Sequence, residues 1–552
     1  MSAHMDTFAR DHLPPRELWP VIDFASVLPP GLNYPERLNC AVELLDNMVA
    51  VGNGDRIAIR FPGGSWTYRE LMGEANRVAR VLTDDLGLIA GNRVLLRGPN
   101  TPMLAACWFG VLKAGGICVT TMPLLRAGEI CYMARKALVS LALCDARVAT
   151  EVDTAASQTA DEGLLNRVVL FNANSESTRT TLESLTAVKP TTFANVQTDA
   201  DDVAIIAFTS GTTGKAKGTM HTHRDLLTIC DCFPRHVLRP TAEDIFCGSP
   251  PLAFTFGLGG LLLFPLRVGA STLLLEQAAP PNLIQGIQDH RATVCFTAPT
   301  AYRAMAGIVR DFRISSLKKC VSAGEALPLA TFETWREATG IEIIDGIGST
   351  EMLHIFISAA GADIRPGSTG KAVPGYRSKV VDDEGNDVAP GTVGHLAVQG
   401  PTGCRYLDDN ERQRAYVKNG WNLPGDSYRM DSDGYFWYQA RTDDMIVSSG
   451  YKIAGPEVEN ALLQHAAVQE CGVVGVPDEE RGHVVKAFVV LRSGHDAGPA
   501  LVKELQDFVK AEIAPYKYPR QIEFVPELPR TETGKLQRFR LRVSERSGVV
   551  AR

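Results

Sequence analysis

Residues 93–97, with Val94-Leu95-Leu96 at their centre, read as a strand, 102–113 carry a helical pattern stopped by Gly115-Gly116, and 117–120 read as a second strand. Two buried strands joined by a helix are the unit from which a parallel, helix-covered sheet is built. The rhythm returns over 283–296 and 329–344, which confines most of the chain to an α/β architecture. Over 370–400 it gives way to short alternating segments separated by Asp383-Glu384-Gly385-Asn386 and Pro390-Gly391, the pattern of hairpins in a small β element. A compact unit follows Asp444, with helices predicted over 456–465 and 501–513 and strands near Val473 and over 485–491 and 521–525.

At 552 residues the chain exceeds one hydrophobic core, so two or more domains are expected. The expected division is a large N-terminal domain over 1–442, of helix-covered sheets plus a small β-barrel-like element, and a small mobile C-terminal α+β domain over 443–552. A net charge of −7 and dispersed Lys and Arg argue against a nucleic-acid footprint. The twelve cysteines include no Cys-x-x-Cys pair, Cys230 and Cys232 being the closest, which points to reduced thiols in a cytosol. The N-terminal stretch carries His, Asp, Arg and paired Pro rather than an apolar core, and no apolar run reaches membrane length. These features lead us to expect a soluble cytoplasmic protein with small-molecule partners, no membrane and no nucleic acid; a homodimer is left open. Pro14, Pro15, Pro29 and Pro30 mark an arm that precedes a helix-like stretch at 41–51 and fits a lid, a dimer contact or plain packing.

The chemistry-bearing stretch is Thr209-Ser210-Gly211-Thr212-Thr213-Gly214-Lys215-Ala216-Lys217-Gly218, which leaves the apolar run 203–208. Small residues let the backbone approach a polyphosphate while hydroxyls, N–H groups and lysines supply donors and charge. It is not the common P-loop, because two residues rather than four separate Gly211 from Gly214 and Ala216 follows Lys215. Further along stand Gly348-Ser349-Thr350-Glu351, Pro424-Gly425-Asp426, Arg441-Thr442-Asp443-Asp444, Ser449-Gly450-Tyr451-Lys452 and Pro529-Arg530-Thr531-Glu532-Thr533-Gly534-Lys535, with Arg538 beyond.

In this order and at these separations the motifs closely resemble those of the adenylate-forming superfamily of acyl-CoA synthetases, adenylation domains and luciferases, over about residues 55–540. The resemblance implies activation of a carboxylate by ATP and Mg²⁺, followed by transfer to a thiol, here that of coenzyme A. It assigns Lys535, Thr350 and Glu351 to catalysis, with Glu351 as the magnesium ligand. It assigns nucleotide binding to Thr209, Ser210, Gly211, Thr212, Thr213, Gly214, Lys215, Gly324, Glu325, Ala326, Asp345, Gly346, Asp426 and Arg441. Asp443 falls at the hinge position, and Ser449, Gly450 and Tyr451 at the CoA tunnel.

Pro251-Leu252-Ala253-Phe254-Thr255-Phe256-Gly257 and the segment 346–356 discriminate the acid. The second is very similar to its counterpart in benzoate–CoA ligases, and the substrate pocket is expected from Phe254, Thr255, Phe256, Gly257, Ala323, Ile347, Gly348, His354 and Ile355. Aromatic and β-branched walls with one histidine suit a flat ring. The arm (Asp6 to Pro15 and Tyr34 to Cys40) and Val94 to Asn100 resemble the 2-aminobenzoate–CoA ligase branch, which implies 2-aminobenzoate or benzoate as substrate. A medium-chain acyl-CoA synthetase, a carrier-protein-loading enzyme and, from a different class, a nucleotide-binding regulator without turnover stand as alternatives.

Overall fold

The computed structural model describes residues 2–24, 34–173, 179–209, 216–448, 451–478, 481–513, 515–530 and 536–547. A six-stranded sheet runs in the order Arg167–Phe171, Leu141–Asp145, Arg93–Arg97, Ile117–Thr121, Val203–Thr209 and Lys217–Thr222. Its strands are parallel except for the last, which turns back as a hairpin on Val203–Thr209. The predicted strand–helix–strand unit lies at its centre. The helix Pro102–Lys113 begins with Thr101, whose side chain accepts from the Leu104 N–H, and with proline in its first turn. Beyond its end the chain turns at Gly115, with φ +75°.

A nine-stranded sheet follows the order Lys371–Ala372, Ile355–Ser358, Ile343–Gly348, Lys319–Ser322, Val294–Thr297, Ile245–Gly248, Ser271–Leu273, Ile57–Phe61 and Gly64–Thr67. Its interior is parallel and both ends are antiparallel. One continuous core includes Val94 and Leu96 of the first sheet and Phe246, Phe296 and Val321 of the second, together with the helices Tyr68–Arg80 and Pro102–Lys113. The region 370–400 forms the hairpin strand Arg377–Val381 against Val393–Gln399, within a small antiparallel sheet completed by Val417–Lys418, Trp421–Asn422, Asp426–Met430 and Phe436–Arg441. Beyond it, Tyr451–Ile453, Ile446–Ser448, Gly482–Leu491, Val468–Asp478 and Gln521–Phe524 make a five-stranded sheet. That sheet packs with the helices Gly455–Leu462 and Pro499–Glu512 around a core of its own, built from Ile446, Val458, Leu462, Val473, Val485 and Leu505.

Two expectations need refinement. The stretch 41–51 forms two wide π-helical turns, Val42–Asp46 and Val49–Asn53, the second broken where Gly52 adopts φ +93°. The described part of the arm, residues 2–24, is packed: Asp6 pairs with Arg93, the Ala3 N–H donates to Asp202, Val21 N–H to the Gly420 carbonyl and Asp23 N–H to that of Gly400, while Pro29 and Pro30 lie outside the described residues. All twelve cysteines are buried free thiols. Among the described residues no helix is long and apolar enough to cross a membrane.

Candidate active site

Thr209 ends its strand and pairs with Lys217, so the glycine-rich loop joins two antiparallel strands; Ser210, Gly211, Thr212, Thr213, Gly214 and Lys215 lie outside the described residues. The return strand runs beside 405–407, through a bridge from Thr219 to Tyr406 and a hydrogen bond from the Met220 N–H to the Arg405 carbonyl. That neighbour matters because the Tyr406 hydroxyl donates to Glu351 Oε1 at 2.7 Å. Burial and the adjacent Glu351 carboxylate raise the pKa of the Tyr406 phenol, so it stays a donor. The Lys217 ammonium stands 5.9 Å from the Tyr406 ring. His221, on the same return strand, meets the Thr350 carbonyl at 2.7 Å through Nε2. A carbonyl only accepts, so Nε2 carries the proton, and burial pushes the ring's pKa down to about 4, keeping it neutral. Behind it Arg405 and Asp225 form a buried pair at 2.6 Å.

A chain of contacts therefore joins Thr209, through Lys217 and Tyr406, to Glu351, and His221 ties the same return strand to Thr350. This candidate crevice lies at the carboxyl ends of strands in both large sheets, the usual ligand position in open α/β folds. Tyr406, His221 and Tyr416 join them without having been singled out in the sequence. The Tyr416 hydroxyl lies 3.2 Å from Ser349 Oγ.

Ala323, Gly324, Glu325 and Ala326 follow the strand Lys319–Ser322, whose Ser322 is in register with Asp345 on the parallel neighbour. Gly324 takes φ +93°, a conformation that favours glycine. Asp345 Oδ1 is inaccessible and has no hydrogen-bond partner, and burial pushes this carboxyl up to about 8, opposed by the Gly346 N–H. At neutral pH the group is an uncharged acid able to donate or accept. Asp426 opens its strand opposite Arg441, which donates to Asp426 Oδ2 at 3.2 Å and to the Pro424 carbonyl at 2.8 Å. Burial, then Glu351 and Asp426 among its neighbours, raises the Tyr416 pKa, which places that phenol within electrostatic reach of both acids.

The predicted aryl wall assembles from three segments. Phe254 precedes the helical turn Thr255–Leu258, which widens into a π-helical turn over Gly259–Leu263. The His354 ring sits 4.5 Å from Phe264, 5.6 Å from Phe256, 6.1 Å from Phe233 and 6.4 Å from Phe296. A Cβ on Gly259 would lie 2.3 Å from His354 Cδ2, and one on Gly260 would lie 2.6 Å from Phe296 Cδ1. The two glycines thus make room for the rings, a requirement unseen in the sequence. Burial pushes His354 down to about 3; Nε2 faces the Phe256 carbonyl at 3.4 Å and Nδ1 has no partner. Ile347 and Gly348 pair with Ile357 and Ile355 on the returning strand, which brings the third segment alongside.

Residues 442–444 form a short 3₁₀ turn leaving Arg441, and Asp444 pairs with Arg542 at 2.6 Å. Asp443 thus occupies the connection between the small antiparallel sheet and the C-terminal unit. Ser449, Gly450 and Lys535 lie outside the described residues, and Tyr451 opens the strand Tyr451–Ile453. Among the described residues no cluster of three or more His, Cys, Asp or Glu side chains is arranged to hold a metal. Glu351, a single hard carboxylate held by Tyr406 beside the strand Lys217–Thr222, fits Mg²⁺ held mainly by substrate phosphates.

A family model described as AMP-binding enzyme matches residues 47–405, and one described as AMP-binding enzyme C-terminal domain matches residues 457–535. The chain belongs to the AMP-binding enzyme family. Within it, the benzoate–CoA ligase of Thauera aromatica is 37% identical over 527 residues, covering 93% of this chain and 97% of the relative. The crystal structure of the anthranilate CoA ligase AuaEII in complex with anthranoyl-AMP matches with a TM-score of 0.88 at 36% identity, over 94% of this chain and 99% of that one. A benzoate CoA ligase from Burkholderia xenovorans matches with 0.83 at 34% identity, over 91% and 99% of the two chains. This AMP-binding enzyme is benzoate–CoA ligase-like.

Proposed function

We propose that this AMP-binding enzyme is an AMP-forming aryl-CoA ligase whose preferred acid is 2-aminobenzoate or a close ortho-substituted benzoate. A carboxylate resists nucleophilic attack, and joining it to the α-phosphate of ATP removes that resistance. A carboxylate oxygen attacks the α-phosphorus, the bond to pyrophosphate breaks, and an aryl-adenylate forms. The CoA sulfur then attacks the acyl carbon, its proton passes to solvent, and AMP leaves.

Mg²⁺ supplies charge neutralisation at the phosphates when bound. Glu351, held by Tyr406, is its protein ligand, and Thr350 and the 209–215 loop orient the phosphates. Lys535 is assigned the charge building between carboxylate and α-phosphate, Asp426 and Arg441 the ribose, and 324–326 with Asp345 and Gly346 the adenine. Asp443 is the hinge, and 449–451 border the CoA path.

The observation that carries the aryl reading is the ring of Phe256, Phe264 and Phe296 around a neutral His354 whose Nδ1 is unpartnered. Flat apolar walls fit an arene, and a bare ring nitrogen or the Thr255 hydroxyl offers a hydrogen bond to an ortho substituent. The likeness to an anthranilate CoA ligase supports the same acid. Pyrophosphate release with ATP, Mg²⁺ and CoA, compared across 2-aminobenzoate, benzoate, 2-hydroxybenzoate and octanoate, tests it. The expected order places 2-aminobenzoate first and octanoate last, and Thr255→Val narrows the gap between 2-aminobenzoate and benzoate. Octanoate ahead of every aryl acid contradicts the reading.

A further inference from the structure

Arg530 sits on a strand-like bridge to Leu536, reinforced by the Gln537 N–H donating to the Pro529 carbonyl at 2.8 Å. These residues flank 531–535 and belong to the C-terminal unit. One arm of the guanidinium lies 2.8 Å from Glu470 on the strand Val468–Asp478 of the same unit. The other lies 3.8 Å from Glu325, in the loop Gly324-Glu325-Ala326 that follows a strand of the nine-stranded sheet. Arg303, on the helix Pro299–Ala306 of the large unit, is lowered in pKa first by burial and then by Arg492, with Glu470 opposing and Arg530 adding to the repulsion. The attraction between Arg530 and Glu325 crosses the boundary between the two units.

We propose that Arg530 is a positioning residue that holds the C-terminal unit over the adenine loop for the first half-reaction, a role that rests on the two-step reading above. The physical argument is differential contact. Rotation about residues 442–444 carries Arg530 and Glu470 together, so that pair survives in any orientation. The contact with Glu325 exists only in the orientation seen here, and a contact made in one state alone is what shifts an equilibrium between two. Arg530 and Glu325 side chains are 29% and 20% exposed, shielded enough for the attraction to count and open enough for the pair to part. A permanent lock would block the second half-reaction; a pair of this kind biases without trapping.

Arg530→Met keeps the apolar stem and removes the charge. Its formation of aryl-adenylate, read as pyrophosphate in a single turnover, is expected to slow about three- to tenfold. Transfer from pre-formed aryl-adenylate to CoA is expected to remain at the wild-type rate or rise, and Arg530→Lys to recover most of the first step. Equal slowing of both steps, or of neither, overturns the proposal. A second measurement needs no turnover. The native thiols are all buried, so spin labels can be directed to Glu333→Cys and Lys503→Cys on exposed helix faces of the two units. The substrate-free parent is expected to give one narrow distance, and the Arg530→Met chain a broadened or second distance. An unchanged distribution overturns the clamp even if no acid is turned over, whereas inactivity of the parent with every acid counts against the ligase reading alone.

Discussion

At the scale of single residues, the crevice works by burying polar groups with chosen partners. Glu351 is 9% exposed and held by Tyr406, so on the proposed reading it would meet a cation already oriented. Tyr406→Phe is expected to lower adenylation about tenfold and raise the Mg²⁺ concentration needed for half-maximal rate, while Glu351→Gln costs about 10²–10³ in rate. A Tyr406→Phe chain with unaltered Mg²⁺ dependence removes Tyr406 from the site. Asp345 makes a pH prediction. Its carboxyl titrates near 8 when folded against 3.8 for an ordinary aspartate, so the unfolded chain releases the proton first as pH rises. Stability contributed by this group therefore declines from about pH 4 to about pH 8. Asp345→Asn lacks the decline, and urea midpoints should show the parent losing ground to the variant between about pH 5 and pH 8; parallel curves refute the assignment. Glu351 was visible in the sequence through the compact run Gly348-Ser349-Thr350-Glu351 beyond an apolar stretch, and Asp345 only through the resemblance of its segment to an adenine site. Tyr406 and His221 were not: neither has a local signature, and Tyr406 reaches the site through its bridge to Thr219 and His221 through its contact with the Thr350 carbonyl, both between segments far apart in the chain.

At the scale of elements, the parallel strands were legible because burial on both faces makes them short, mostly apolar segments, as in Arg93–Arg97 and Ile117–Thr121. The wide helical turns were not, because nothing in an apolar stretch announces an extra residue per turn. Their use shows only in packing, where Gly259 and Gly260 lie under His354 and Phe296. Gly259→Ala must displace the imidazole. We expect a tenfold or greater loss in kcat/KM for 2-aminobenzoate together with about 1–3 kcal/mol of destabilisation from overpacking. If the change falls on stability alone, His354 is not part of the pocket.

At the scale of the whole molecule, the N-terminal arm ties separate layers together. Trp19 lies between Arg16 at 4.0 Å and Arg405 at 4.8 Å, and its Nε1–H donates to the Pro14 carbonyl at 2.7 Å. Arg405 in turn pairs with Asp225 behind the crevice, so the arm buttresses the segment that carries Tyr406. Trp19→Ala is expected to cost about 1–3 kcal/mol in urea unfolding; a change under about 0.5 kcal/mol would reduce the arm to a passive covering. The sequence marked this arm by its prolines but offered two functional alternatives to packing, since its partners lie 87 to 395 residues or more away.

The account stands or falls on whether one crevice both adenylates an aromatic acid and hands it to CoA. The most direct measurement follows AMP, pyrophosphate and thioester together by mass-resolved chromatography, with 2-aminobenzoate, ATP and Mg²⁺, with and without CoA. The account predicts the three products in equal amounts when CoA is present, and without it a single turnover of pyrophosphate with the aryl-adenylate retained on the protein. Sustained AMP release without thioester, or no product from any aromatic acid under conditions where ATP binds, would contradict it.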